Sequence, residues 1–249
     1  MVLVTTLGTS SPHPRAGDPC SSFLVEGAGA RVWLDAGAGT LGALLGVCRL
    51  EDLGAVWISH THADHFSDLA AVFYALRYAD VSRPPLTVFG PPGWAERLRA
   101  FVTHTAVPSP LEDVFDIREV RDGDEHVVAG LRLMAVEMVH DAPCHGVRLT
   151  DGVAVVAYTG DTGPCPALQR LAAGADLLIS EAGYGLGSSG TEGVHLTAAQ
   201  AGRAAEETGA GLLLTHLAGA DVEACVDAAS AAGAPSVRGA HPGQVTHVR

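Results

Sequence analysis

The 249-residue chain contains no lysine; its fifteen basic residues are all arginine. Schiff-base chemistry on a lysine and a P-loop lysine are therefore excluded. Asparagine is also absent, which removes N-glycosylation. Cysteine is sparse. Cys20, Cys48, Cys144, Cys165 and Cys225 are odd in number, widely spaced and without a C-x-x-C pair. That pattern reads as reduced thiols of a cytoplasmic protein and not as a disulfide framework. No apolar run reaches the ~18 residues that would span a bilayer, so no membrane partner is expected. The opening MVLVTTLGTS has no basic segment before its apolar stretch and reads as a first strand, not a secretory leader. No G-x-S-x-G occurs, which argues against a serine hydrolase. Positive charge is scarce: 15 basic residues face 28 acidic ones, for a formal net charge of −13. This argues against a nucleic-acid partner gripped through its phosphates. A small phosphate-bearing substrate remains compatible, because bound cations can reverse the charge inside a pocket.

What is present is apolar and regularly patterned. Hydrophobic residues make up 47% of the chain and charged ones 17%, enough for a large core. Short runs rich in apolar or β-branched residues predict strands at 2–7, 22–26, 31–35, 55–59, 86–90, 114–120, 125–139, 145–149, 153–161, 175–182 and 211–217. Helical spacing predicts helices at 40–47, 65–79, 93–104, 166–173, 197–208 and 221–233. GYGLGSSGTEG at 183–193 reads as a Gly/Ser-rich loop. No linker, low-complexity tract or short-period repeat interrupts the alternation, so residues 1–249 are expected to form a single domain. Two strand-rich runs, each closing into helices, suggest two sheets packed face to face with helices outside.

The chemistry concentrates in HTHADH, residues 60–65. His60 and His62 stand two apart at the end of a predicted strand, so both can point the same way. Asp64 and His65 follow at the turn into a helix. Three imidazoles and a carboxylate within six residues suit a borderline divalent metal such as zinc. Further ligands are expected at other strand ends, where α/β sites form. His140 ends LMAVEMVH, Asp161 ends VAVVAYTGD and His216 ends GLLLTH.

The order H-x-H-x-D-H, lone His, G-D-T, T-H resembles the ligand pattern of the metallo-β-lactamase superfamily. LGTSSPHP, WLDAGAG, HDAPCHGVRL, YTGDTGP, LLISEAGY, HLTAAQAG and LLLTHL resemble its ribonuclease Z-like branch, which includes cyclic-nucleotide phosphodiesterases and a cyclic phosphate diesterase. The resemblance implies an α/β fold, a four-layer αββα sandwich, around two divalent metal ions. Zinc is the expected metal, with manganese or iron(II) as alternatives. His60, His62 and His140 would hold the first ion, Asp64, His65 and His216 the second, and Asp161 would bridge them. Asp64 and His195 are the catalytic candidates, with His195 of HLTAAQAG placed near the leaving group. Asp35 of WLDAG would orient a ligand imidazole. His145, standing where the pattern usually has an aromatic residue, and Arg148 are candidates for substrate contact, each with a structural alternative of equal weight. A homodimer is hinted at by the same resemblance.

The implied reaction is attack on a small phosphodiester, cyclic ones included, by a hydroxide bridging the ions. The chain lacks the long basic arm with which true ribonuclease Z grips transfer RNA, because the stretch between His65 and His140 is short. The partner expected is therefore a small-molecule substrate and not a nucleic acid. Two rivals stay open. The same site could open a lactone, thioester or carboxylic ester. The fold could also serve as a non-hydrolytic, metal-containing binding or carrier protein of a biosynthetic pathway, although a pure binding module does not need seven metal-binding side chains.

Overall fold

The structure is a computed structural model, which describes residues 1–79, 81–187 and 193–249. The predicted loop 183–193 therefore lies partly outside the described residues. Two seven-stranded mixed sheets form the centre. The first runs in the order β14-β1-β2-β3-β4-β5-β6, built from β1 (Val2–Gly8), β2 (Ser22–Gly27), β3 (Ala30–Leu34), β4 (Ala55–Trp57), β5 (Leu86–Gly90), β6 (Phe115–Glu119) and β14 (Val245–Val248). The second runs β13-β12-β11-β10-β9-β8-β7, built from β7 (Glu125–Val128), β8 (Leu131–Met138), β9 (Cys144–Thr150), β10 (Val155–Tyr158), β11 (Leu177–Glu181), β12 (Gly211–Thr215) and β13 (Val237–Gly239).

The two halves repeat one plan. In each, an antiparallel meander (β1-β2-β3, then β8-β9-β10) feeds parallel strands reached through helices. The first half continues through α1 (Thr40–Leu45), α2 (Ala63–Phe66), α3 (Leu69–Tyr78) and α4 (Trp94–Val102). The second continues through α5 (Ala167–Ala172), α6 (Ala198–Thr208) and α7 (Val222–Ala231). Apolar side chains fill three layers. Phe23, Trp57, Val147 and Tyr158 pack between the sheets. Trp33, Phe73, Trp94 and Phe115 join the first sheet to its helices. Leu171, Ala201, Leu214 and Ala229 join the second sheet to its helices. The result is the expected four-layer αββα sandwich.

Four elements depart from the sequence reading. The strand expected over 125–139 is a hairpin, turned by Ala129 (φ 53) and Gly130 (φ 145) between β7 and β8. A left-handed alanine is uncommon, so this turn carries no strong local signal. The helix expected over 65–79 is split between Phe66 and Leu69. There the loop after β3 captures its backbone: the Ala36 amide donates to the His65 carbonyl at 2.7 Å, and the Asp68 amide donates to the Ala36 carbonyl at 2.8 Å. The short strands β13 and β14, beyond the last predicted helix, were not anticipated.

Candidate metal centre

Every predicted ligand follows the end of a strand, and both sheets contribute. His60, His62, Asp64 and His65 follow β4. His140 follows β8, Asp161 follows β10 and His216 follows β12. The chain bends sharply to achieve this. His216 adopts φ 57, and Gly160 adopts φ 59. A Cβ at Gly160 would meet the Ser59 Cβ at 2.6 Å, so only glycine lets the loop after β10 close onto the loop after β4.

All seven side chains converge in overlapping groups whose donor atoms lie within 4.8 Å of one another. One group is His60, His62 and His140; another is Asp64, His65 and His216. Asp161 lies between them. Its Oδ2 is 3.7 Å from His60 Nε2 and 3.4 Å from His216 Nε2, and its Oδ1 is 3.5 Å from His65 Nε2. His65 Nε2 and His216 Nε2 are 3.2 Å apart, and His140 Nε2 and His62 Nδ1 are 3.3 Å apart. His60 Nε2 and Asp161 Oδ1 are buried without a hydrogen-bond partner. Buried polar atoms rarely stay unpaired. Inward-facing imidazole nitrogens and carboxylate oxygens left in that state are donors suited to a divalent cation, so the residues fit the group.

The far sides of three of the imidazoles are held. Asp35, fully buried and at φ 56, accepts from His65 Nδ1 at 2.7 Å. The same carboxylate accepts from the Ser59 amide and hydroxyl, each at 2.7 Å, and from the Tyr158 hydroxyl at 2.6 Å. His140 Nδ1 faces the Val194 carbonyl at 2.8 Å, and His60 Nδ1 faces Ser59 Oγ at 3.0 Å. Such partners fix the tautomer and the orientation of a ligating ring. The electrostatics follow. Burial works against charge on His65, but Asp161 and Asp35 outweigh it and hold its pKa well above the usual histidine range. Burial opposes ionisation of Asp161 as well, yet the neighbouring imidazoles, His216 first, hold its carboxyl well below the usual range. His60, buried beside other imidazoles, is pushed down.

His195 stands at the rim, with its Nδ1 3.9 Å from Asp161 Oδ2. The same Nδ1 lies 3.0 Å from Glu181 Oε1. Burial would lower the His195 pKa; the hydrogen bond and charge of Glu181 overcome this and raise it to about 9. Glu181 is itself buried and also accepts from the backbone amides of Thr162, Gly183 and Leu196. Sequence reasoning did not single out Glu181, although an acid ending the apolar strand LLISE carries the same signal as Asp161. Ser59, Tyr158 and Asp141 were also not singled out.

His145 and Arg148 are not brought to the cluster. His145 shares a strand face with Val147 and Leu149, which pack between the sheets. The carboxylates acting on it are Glu137, Asp122 and Asp124, and burial lowers its pKa. Arg148 points to the opposite face, where its guanidinium donates to the Leu171 carbonyl at 3.1 Å beside α5. Both side chains therefore stand away from the seven predicted ligands.

A four-layer αββα sandwich with a His/Asp cluster at the shared edge of its sheets defines the metallo-β-lactamase class of proteins. The sequence profile of the Beta-lactamase superfamily domain matches residues 30–217, and the chain belongs to that family. It is 30% identical over 221 residues to the probable metallo-hydrolase YhfI of Bacillus subtilis, covering 86% of each. It is 35% identical over 202 residues to a ribonuclease Z of Mycolicibacterium gilvum, covering 72% of this chain and 68% of that one. The crystal structure of the metallo-beta-lactamase fold protein YhfI from Bacillus subtilis superposes with a TM-score of 0.88 at 26% identity, covering 99% of this chain and 100% of that one.

Proposed function

We propose that the chain, as a single domain over residues 1–249, is a two-metal hydrolase of small phosphodiesters, cyclic ones included. The observation that carries this reading is the convergence of seven metal-binding side chains with the His195–Glu181 pair at their rim. The hydrolase class draws support from the likeness to the probable metallo-hydrolase, and phosphodiester chemistry from the likeness to ribonuclease Z. In this reading His60, His62 and His140 form a first metal position, Asp64, His65 and His216 a second, and Asp161 belongs to both. Zinc suits the nitrogen-rich donor set.

Bound divalent ions supply Lewis acidity, lowering the pKa of a water and neutralising charge that builds on phosphoryl oxygens. The chain's own residues do the rest. Asp35 orients His65, and Glu181 fixes the Nδ1 side of His195, leaving Nε2 to give a proton to the departing alkoxide. The Glu181 contact favours the protonated form of His195, as a general acid requires. A small substrate is favoured over folded RNA on two grounds. Between His65 and His140 the described chain goes into α3, β5, α4, β6, β7 and β8 and their connections, with no projecting arm. The net charge of −13 repels a polyanion, while a single phosphate can face two cations.

The test is His195→Ala in metal-loaded protein. Turnover of a diester with an alkoxide leaving group should fall by about 10²–10⁴, with metal content unchanged. The loss should be much smaller with p-nitrophenolate, which departs without a proton. Equal losses on both substrates would remove the general-acid role. Wild-type protein that ignores phosphodiesters and opens lactones or thioesters would replace the substrate class.

A further inference from the structure

Asp141 follows the ligand candidate His140 and differs from the other carboxylates around the cluster. Asp35, Asp64, Asp161 and Glu181 are buried, whereas the Asp141 side chain is 61% exposed. Even so, its Oδ1 lies 3.1 Å from His140 Nε2 and 3.4 Å from His62 Nε2. Among the described residues no backbone amide or hydroxyl holds it in place. The proton inventory makes the first contact informative. The Val194 carbonyl can only accept, so His140 Nδ1 carries the N–H and Nε2 of the neutral ring is a lone pair. A lone pair and a carboxylate oxygen at 3.1 Å repel unless positive charge sits against both. A cation held between them supplies that charge, and the same two atoms can share it.

We propose that Asp141 is a further, displaceable donor to the metal position of His60, His62 and His140. Through Oδ1 it holds a solvent-facing place that an anionic ligand takes over on binding. This rests on the metal positions assigned above. A buried, multiply bonded carboxylate such as Asp35 cannot leave its place. An exposed one, held only by the cation and the imidazoles, can swing out when a phosphate arrives. Asp141 would thus complete the site at rest and yield on binding.

The experiment titrates metal-free wild type and Asp141→Asn with Zn2+ against a competing chelator. It then titrates each zinc-saturated protein with inorganic phosphate. Wild type should bind two ions. Asp141→Asn should bind one of the two more weakly by about tenfold or more, and the other unchanged. Its phosphate affinity at saturating zinc should rise, because no carboxylate has to be displaced. The exposed position makes misfolding an inadequate explanation, and an unchanged thermal unfolding midpoint of the metal-free variant checks this. Equal zinc affinities in both steps overturn the proposal. Unchanged or weaker phosphate binding overturns the displacement. Wild type that binds no zinc overturns the metal positions themselves, a separate and distinguishable failure.

Discussion

Asp35→Asn isolates the charge beneath the candidate second metal position while keeping the shape of the side chain. Asparagine tolerates the left-handed backbone at this residue, so φ 56 adds no new strain. The carboxylate faces four donors: the Ser59 amide, the Ser59 hydroxyl, the Tyr158 hydroxyl and His65 Nδ1. An amide oxygen can keep the Ser59 amide, but its NH2 then points at the other three donors. Removing one partner of a buried charge pair costs about 3–5 kcal/mol. For a chain of this size that lowers the unfolding midpoint of metal-free protein by about 6–20 °C. Tyr158→Phe deletes a single hydrogen bond to the same carboxylate and should cost about 1.5–3 kcal/mol. Circular dichroism during urea and thermal unfolding of the metal-free proteins reads both effects, and a chelator titration reads the accompanying loss of zinc affinity. A midpoint for Asp35→Asn within about 1 °C of wild type, with unchanged zinc affinity, would refute the idea that this buried carboxylate holds His65.

Asp161→Ala removes the carboxylate shared by both groups of ligands, so elemental analysis should find fewer than two ions per chain; retention of both would end the shared-ligand assignment. Glu181→Gln should bring the His195 titration down from about 9, as followed by histidine NMR in metal-free protein. Because the folded pKa lies above the ordinary 6.5, this contact contributes stability that is fully present below pH 6.5 and lost as pH rises toward 9. Glu181→Gln should flatten that loss in pH-dependent urea unfolding, and an unaltered profile would contradict the assigned cause. Gly37→Ala places a Cβ 1.7 Å from the Asp64 carbonyl oxygen. The backbone shift this forces should cost about 1–3 kcal/mol and weaken zinc binding, and a variant with wild-type stability and affinity would show that this close approach is unimportant.

Much of the architecture was legible because its signals are local. The strand-end positions of HTHADH, His140, Asp161 and His216 follow from apolar runs that stop at a histidine or an aspartate. The brackets around the helices and most strands follow from spacing. What stayed hidden depends on contacts between distant parts of the chain. The break after Phe66 arises from the loop after β3, about thirty residues earlier, capturing helix backbone. The place of Glu181 at the end of an apolar strand is legible, but the contacts of its carboxylate with His195 and three backbone amides come from outside that strand and leave no imprint on it. His145 and Arg148 were placed with the site by motif. Strand alternation instead sends one between the sheets and the other against α5, and neither direction leads to the cluster.

The division of the ligand set between the sheets has a further consequence. His65 and His216 are 151 residues apart in sequence, yet their Nε2 atoms lie 3.2 Å apart. An ion held by both acts as a reversible cross-link across most of the chain, and neither half owns a complete binding site. Such an ion binds only the folded form, so metal at about 1,000 times its dissociation constant would add about 4 kcal/mol to the free energy of unfolding. In a protein whose cluster holds such ions, metal supply would govern how long the chain persists as well as how fast it works. Starvation for the ion would leave a loosened pair of sheets open to proteases, and the amount of protein in a cell would follow the free metal concentration.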